Sequence, residues 1–284
     1  MKHPAAVLST ACVVTAATLA AWHWRSAWLP DTGTRQGEGQ ATDAPQAPSS
    51  APVAAAPAAS GVPRYPIEAA SAPPLPEATP PTLEASLPRI VGADAVATLL
   101  LTDDFVRRVV VTVDGLGREK APARLWPLQP PAGRFSAQRL GAGAQAEGQG
   151  QVIASDNFAR YARHLAFIEK TDPQWVVALY KRHYVQFQHA YEQLGFPGRH
   201  FNDRLVEVID LLIATPEPRG PLELRLPNVP GSTTPPLRPW LMYEFADPKL
   251  QALPAGQQLL LRMGPDNARR VKARLAEMRR LLVR

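Results

Sequence analysis

The chain has 284 residues, 31 of them proline, and a formal net charge of +6. Its single cysteine, Cys12, excludes an internal disulfide and a zinc site built on several thiolates. The length is sufficient for a globular domain with a buried core.

The chain begins with an apolar run, residues 4–24, that contains no Asp, Glu, Lys or Arg. A run of about 20 apolar residues can cross a bilayer as a helix. Tryptophans cluster at its far end, where indole rings favour the headgroup region. We predict a membrane anchor over residues 1–29, with the domain exported to the periplasm. A signal peptide cleaved after residues 18–20 and a lipoprotein signal ending at Cys12 are the alternatives.

Residues 30–86 are dominated by proline, alanine and small polar residues. Proline removes main-chain donors and restricts the residue before it, so such a segment does not form regular structure. We predict a disordered linker that can extend on the order of 100 Å at ~3.1 Å per residue. The alternative is a proline-rich ligand for a partner domain, with residues 73–76 (PPLP) as the best candidate.

Residues 87–284 are predicted to form one mainly α-helical globular domain with a small β-hairpin. Alternation over 222–226 and the aromatic segment 240–245 predict the two strands of the hairpin. His183 lies on the apolar stripe of a long helix and is predicted to be a buried histidine with its hydrogen bonds satisfied. Apolar periodicity predicts helices over 93–101, 104–113, 155–169, 173–195, 202–213, 248–253, 255–263 and 265–282. The first two could be one broken helix, and the β-branched run 109–111 is an alternative strand.

Six phrases occur in order in this domain. They are VTVDGLG at 111–117, NFARY at 157–161, AYEQLGFP at 190–197, FNDRLVEVIDLLIATP at 201–216, YEFADPKLQAL at 243–253 and QQLLLRMGPDNARRVKARL at 257–275. As a set, they resemble a bacterial family of membrane-anchored domains of unknown function, number three-oh-one-four among such domains. The resemblance implies a single N-terminal span, a variable Pro/Ala-rich linker and one globular domain. It implies no established activity.

Asp203, Glu207 and Asp210 follow each other at helical spacing and form one face of a predicted helix, here called the acidic edge. Such carboxylates can bind a hard cation, or one can act as an acid or base beside His200. The alternative, which the pattern favours, is a solvated face or one paired with arginines of the last helix. We therefore predict no catalytic residue, no metal ligand and no cofactor.

The last predicted helix carries basic residues around an apolar stripe. If the stripe packs on the domain, Arg269, Lys272 and Arg279 remain as candidate partner contacts, here called the basic surface. No recognisable nucleic-acid-binding motif is present, and the predicted compartment also argues against nucleic acid as a partner.

These features together predict a non-enzymatic binding or scaffold module of the bacterial envelope. Residues 4–24 would hold it at the inner membrane, and the domain would bind an envelope protein or a cell-wall component. One alternative is a membrane-anchored hydrolase or metal-dependent enzyme using Asp203, Asp210 and His200. A purely structural spacer is the other. The sequence makes no prediction of the oligomeric state.

Overall fold

The computed structural model of the chain describes residues 61–67, 74–139, 150–227 and 237–283. All of them belong to one unit of the chain, residues 56–284. The helices of the described part are α1 (Leu83–Val91), α2 (Ala93–Leu99), α3 (Phe105–Leu116), α4 (Asp156–Ala159), α5 (Ala162–Lys170), α6 (Pro173–Arg182), α7 (Tyr184–Gln193), α8 (Phe201–Ile213), α9 (Pro248–Gln251), α10 (Ala255–Met263) and α11 (Pro265–Leu282). The strands are β1 (Ala137–Arg139), β2 (Gln151–Ile153), β3 (Glu223–Arg225) and β4 (Glu244–Phe245).

Proline and glycine define the ends of several helices. Pro173 opens α6, where the Asp172 carboxylate accepts a hydrogen bond from the main-chain nitrogen of Gln174 at 2.8 Å. Gly264, with a φ of +91°, separates α10 from α11. A Cβ atom at Gly264 would lie 2.5 Å from the Phe158 ring, so both the backbone angle and the packing require glycine there.

The main core lies between α1, α3, α6, α7, α8 and α11. Helix α8 contributes Phe201, Val206 and Ile209 to it and packs against α3 and α11. The ring of Phe201 stacks on Phe187 with centroids 6.1 Å apart and meets Tyr180 edge-on at 6.2 Å. This packing fixes the first turn of α8, from which the candidate site projects.

The strands form one antiparallel sheet in the order β1-β2-β3-β4. Leu224 of β3 pairs with Phe245 of β4, and both pack with Ile153 and Leu261 in a separate small core. The predicted hairpin corresponds to the antiparallel pair β3–β4, but its second strand is shorter than predicted, because Pro239–Leu241 forms a 3-10 helix. The sheet is larger than predicted because β1 and β2, each three residues long, extend it from a stretch rich in Pro and Gly.

The prediction of a mainly α-helical domain is confirmed. Two predicted helices are interrupted, however. The helix predicted over 155–169 is divided into α4 and α5, and the one predicted over 173–195 is divided at His183 into α6 and α7. His183 adopts φ −107° and ψ 14°, which are not helical values. Its side chain is buried, as predicted, but its Nε2 atom has no hydrogen-bond partner among the described residues.

Part of the predicted linker belongs to the folded domain. Helix α1 begins at Leu83, so the predicted boundary at residue 87 falls inside a helix. Residues 61–67 lie against α8, and Tyr65 and Ile67 pack against the main core. The prediction of disorder is corrected for these residues, because their paired main-chain groups and packed side chains offset the entropy cost of ordering them.

The predicted anchor over residues 1–29 lies outside the described residues. Within the described ranges, no helix combines the length and apolarity needed to cross a bilayer. In the candidate ligand segment 73–76, Leu75 packs against the main core.

Candidate functional site

The carboxylates of the acidic edge have separate partners. The two oxygens of Asp203 accept hydrogen bonds from the main-chain nitrogens of Arg64 and Tyr65, at 3.0 and 2.9 Å. Glu207 pairs with Arg204, one turn away on the same helix, at 3.1 Å. Asp203 therefore binds main chain, whereas Glu207 forms a local ion pair.

The third carboxylate of the acidic edge, Asp210, joins α8 to α11. Both of its oxygens accept hydrogen bonds from the Arg279 guanidinium, and the Nη2–Oδ2 distance is 3.0 Å. This bidentate contact raises the pKa of Arg279, chiefly through the hydrogen bond to Asp210. The pairing with an arginine of the last helix is the alternative considered above for the acidic edge.

The other two residues of the basic surface are also engaged within the chain. The Lys272 ammonium donates to the carbonyl oxygen of Thr215 at 2.6 Å and to the Glu217 carboxylate at 2.8 Å. Arg269 pairs with Asp266 in the first turn of α11. Lys272 and Arg279 thus tie α11 to the rest of the domain.

Each residue of the enzymatic alternative has a separate hydrogen-bond partner within the chain. His200 Nε2 lies 2.8 Å from the carbonyl oxygen of Gly61, and Asp203 and Asp210 have the partners just described. In the described part of the chain, no group of three or more His, Cys, Asp or Glu residues is placed to hold a metal ion.

Residues 61–67, here called the docked segment, are held on α8 through main-chain groups. Besides the two bonds to Asp203, the Asn202 amide donates to the carbonyl oxygen of Tyr65 at 2.8 Å. The Tyr180 hydroxyl donates to the other end of the Asn202 amide at 3.2 Å and so fixes its orientation. The first turn of α8 therefore binds a bent stretch of chain through its main-chain groups.

A cleft of about 480 Å³ lies next to the docked segment and is here called the arginine cleft. Its walls come from the end of α3, the connection between α7 and α8, the first turns of α8 and the docked segment itself. Its charged lining residues are Arg64, Asp114, Arg118, Arg199, Asp203, Arg204 and Glu207.

One wall of the arginine cleft is an ion network centred on Asp114, whose side chain is only 10% exposed. Its carboxylate accepts from Arg118 Nε at 2.6 Å and from Arg204 Nε at 3.2 Å. Arg204 Nη2 also donates to the Asp114 carbonyl oxygen at 3.0 Å. A Cβ atom at Gly117 would lie 2.7 Å from this Nη2, so glycine leaves the space that the network needs.

A second wall is aromatic. The rings of Tyr191 and Phe196 stack with centroids 4.7 Å apart, and the Arg118 guanidinium lies 5.5 Å from the Phe196 centroid. Burial, and next the charge of Asp114, raises the pKa of the Tyr191 phenol. The phenol therefore stays protonated and remains a hydrogen-bond donor at neutral pH.

Arg64 and Arg199 supply unpaired positive charge to the cleft. Both are exposed, and within the described ranges neither pairs with a carboxylate. The acids of the lining are already engaged, Asp114 and Glu207 by arginines and Asp203 by main chain. The arrangement can therefore bind a carboxylate or another anionic group beside an aromatic surface.

Sequence reasoning missed most residues of this cleft. Asp114 was available as a signal, because it is an acidic residue near a helix end, followed by two glycines in VDGLG. Its partner Arg204 lies 90 residues further along the chain, and only the fold brings the two together. Arg199 stands in a loop whose sequence carries no distinguishing pattern.

Comparison with known proteins does not assign a function to this site. The model of a family described as "Protein of unknown function (DUF3014)" matches residues 105–279. No curated protein and no solved structure matches the chain. The matched range includes the ends of α3, α7 and α8 that form the arginine cleft, but not the docked segment.

Proposed function

The chain belongs to the DUF3014 family, whose function is unknown, and we propose that it is a non-enzymatic binding module of the bacterial envelope. In this proposal, residues 4–24 tether it to the inner membrane and the domain works in the periplasm. The arginine cleft binds an acidic, extended segment of another envelope protein.

The observation that carries the proposal is the main-chain capture of the docked segment. Asp203 and Asn202 bind three main-chain groups of residues 64–65, so this face of α8 has the geometry of a peptide-binding surface. The docked segment already occupies that surface, so a partner segment would bind beside it in the arginine cleft, where the guanidinium groups of Arg64 and Arg199 favour carboxylates.

The contacts described above also favour this assignment over the basic surface. Arg279 and Lys272 would have to leave Asp210 and Glu217 before they could bind a partner. Arg64 and Arg199 would lose no ion pair. Binding through them therefore requires less rearrangement within the chain.

The test is chemical crosslinking in intact cells with the tagged full-length protein, followed by mass spectrometry. The double variant Arg64→Glu/Arg199→Glu should lose the crosslinked envelope protein. The matched control, Arg124→Glu/Arg219→Glu, makes the same charge change at exposed arginines outside the cleft and should retain it. Equal loss in both double variants, or in neither, contradicts the assignment to the cleft, and so does capture of cell-wall fragments alone.

The compartment can be tested separately because Cys12 is the only cysteine. Val185, which is 79% exposed, is replaced in the variant Val185→Cys. This cysteine should react with a membrane-impermeant maleimide in cells whose outer membrane has been permeabilised and whose inner membrane is intact. Labelling that requires lysis of the inner membrane would place the domain in the cytoplasm and would contradict the periplasmic proposal.

A further inference from the structure

A second cavity, of about 370 Å³, lies within the main core and is here called the apolar cavity. It is lined almost entirely by apolar side chains and is not sealed. Helices α1, α3, α6, α8 and α11 all contribute to its lining, among others through Ile90, Val109, Val176, Leu205 and Met278. Protein interiors contain few voids larger than a water molecule, whereas this volume is typical of a ligand pocket.

Part of the lining of the apolar cavity remains accessible, although other lining residues are fully buried. Val109, Val176 and Leu205 pack against the main core yet remain only partly buried. Apolar surface that stays accessible to water forgoes the free energy gained by its burial. A hydrocarbon ligand would cover this surface, and a polar ligand would find almost no polar atom to bind.

A polar basin of about 580 Å³ adjoins the apolar cavity, and the two share Pro173 and Arg274 as lining residues. Arg274 Nη2 donates to the carbonyl oxygens of Glu169 and Thr171 at 2.7 and 3.0 Å. These bonds fasten α11 to the corner between α5 and α6. The Arg274 guanidinium group therefore fastens one side of the boundary between the two cavities.

The polar basin carries unpaired positive charge. Lys170 and Arg280 line it and are exposed, and neither has a carboxylate partner in the part of the chain that the structure describes. The acids of the same basin are engaged. Asp172 caps α6, and Glu277 pairs with Arg274 at 2.7 Å. The basin therefore complements an anionic group beside an apolar one.

We propose that the two cavities together bind a long-chain fatty acid. Its hydrocarbon chain occupies the apolar cavity, and its carboxylate lies in the polar basin between Lys170 and Arg280. The two cavities share no lining residue with the arginine cleft, so the assignment does not depend on the proposed function.

The volume supports one chain rather than two. An apolar protein cavity of about 150 Å³ binds benzene, which corresponds to about 25 Å³ per carbon atom. On that scale, the 370 Å³ of the apolar cavity accommodates about 15 carbon atoms. One acyl chain fits this space, and the two chains of a phospholipid do not.

The experiment uses the full chain in phosphatidylcholine nanodiscs and a palmitic acid analogue with a photoreactive diazirine in its chain. After irradiation, mass spectrometry should place the adduct on peptides that contain cavity residues such as Val109 or Val176. Unlabelled palmitate should compete for labelling, whereas hexadecanol, which lacks the carboxylate, should compete about tenfold less well. Labelling outside the lining peptides only, or equal competition by the two compounds, overturns the proposal.

Variants test the two halves of the site. Val109→Trp, which fills the apolar cavity, should reduce labelling of the lining peptides about tenfold. Val185→Trp, the same change on the exposed face of α7, should not. Lys170→Glu/Arg280→Glu should abolish the preference for palmitate over hexadecanol, and Lys249→Glu/Arg219→Glu should keep it. If Val109→Trp does not fold, as judged by circular dichroism, Val176→Phe replaces it. A preference unchanged by the Lys170/Arg280 variant contradicts the assignment of the carboxylate.

Discussion

Asp203 and Tyr65 are separated by 138 residues in the chain, yet a carboxylate oxygen of Asp203 lies 2.9 Å from the main-chain nitrogen of Tyr65. The second oxygen accepts from the nitrogen of Arg64 at 3.0 Å. A charged acceptor makes such bonds stronger than neutral ones, so Asp203 is the principal attachment of the docked segment.

We expect Asp203→Ala to release the docked segment while the domain stays folded. Two exposed or half-buried hydrogen bonds are lost, and the free energy of unfolding should fall by about 1.5 kcal/mol or less. Trypsin should then cleave after Arg64 about tenfold faster, because cleavage follows the population of the released form. Asp103→Ala, which removes an exposed aspartate outside the cleft, should leave the cleavage rate unchanged. Equal rates for wild type and Asp203→Ala would show that other contacts hold the segment.

The docked segment also shows where sequence reasoning reaches its limit. Composition correctly predicted that residues 61–67 form neither a helix nor a strand. Composition does not show, however, whether such a segment packs against the folded domain. Attachment depends on Asn202 and Asp203, which a helical pattern places on one helix without identifying what they bind. The acidic edge was similarly predicted as a pattern, and only the fold assigned it three different partners.

Local signals predicted the helices better than their interruptions. The cap formed by Asp172 and Pro173 and the termination at Gly264 are encoded within a few residues, and α6 and α11 begin where predicted. The division at His183 has no such signal, because neither Gly nor Pro is present and the apolar pattern continues into α7. Strand β1 was missed for a related reason, since three residues are too few to establish alternation.

The ion network around Asp114 in the arginine cleft should contribute more to the free energy of unfolding than the ion pair between Asp210 and Arg279. Asp114→Ala leaves Arg204, whose side chain is 16% exposed, without its buried partner, and we expect a loss of about 3 kcal/mol in the free energy of unfolding. Asp210→Ala removes a pair whose two side chains are both partly exposed, and we expect a distinctly smaller loss. Urea unfolding of both variants measures the difference.

The two aspartate variants serve as controls for each other, because each removes one carboxylate that binds an arginine of another segment. Similar losses in the two would mean that the Asp114 network is solvated in the folded protein, contrary to its burial. A larger loss for Asp210→Ala would instead identify the contact between α8 and α11 as the stronger one.

His183 should make the domain less stable at acidic pH. Burial, followed by the charge of Arg182, lowers the pKa of this imidazole below its ordinary value of 6.5, although Glu84 opposes the shift. The unfolded chain therefore binds a proton more readily, and stability falls as the pH drops through about 6.5. His183→Phe should flatten this part of the stability profile measured by urea unfolding between about pH 5 and 8. His189→Phe keeps His183 and should retain the slope.

The most direct test of the binding proposal is site-specific photocrosslinking in living cells. A photoreactive phenylalanine analogue replaces Val62, which lines the arginine cleft and is 91% exposed, or Val185, which is 79% exposed and outside it. We predict a discrete adduct with an envelope protein at position 62 that is absent at position 185 and lost when Arg199→Glu is added. Identical adducts at both positions, or an adduct at position 62 unaffected by Arg199→Glu, would contradict a partner bound in the arginine cleft.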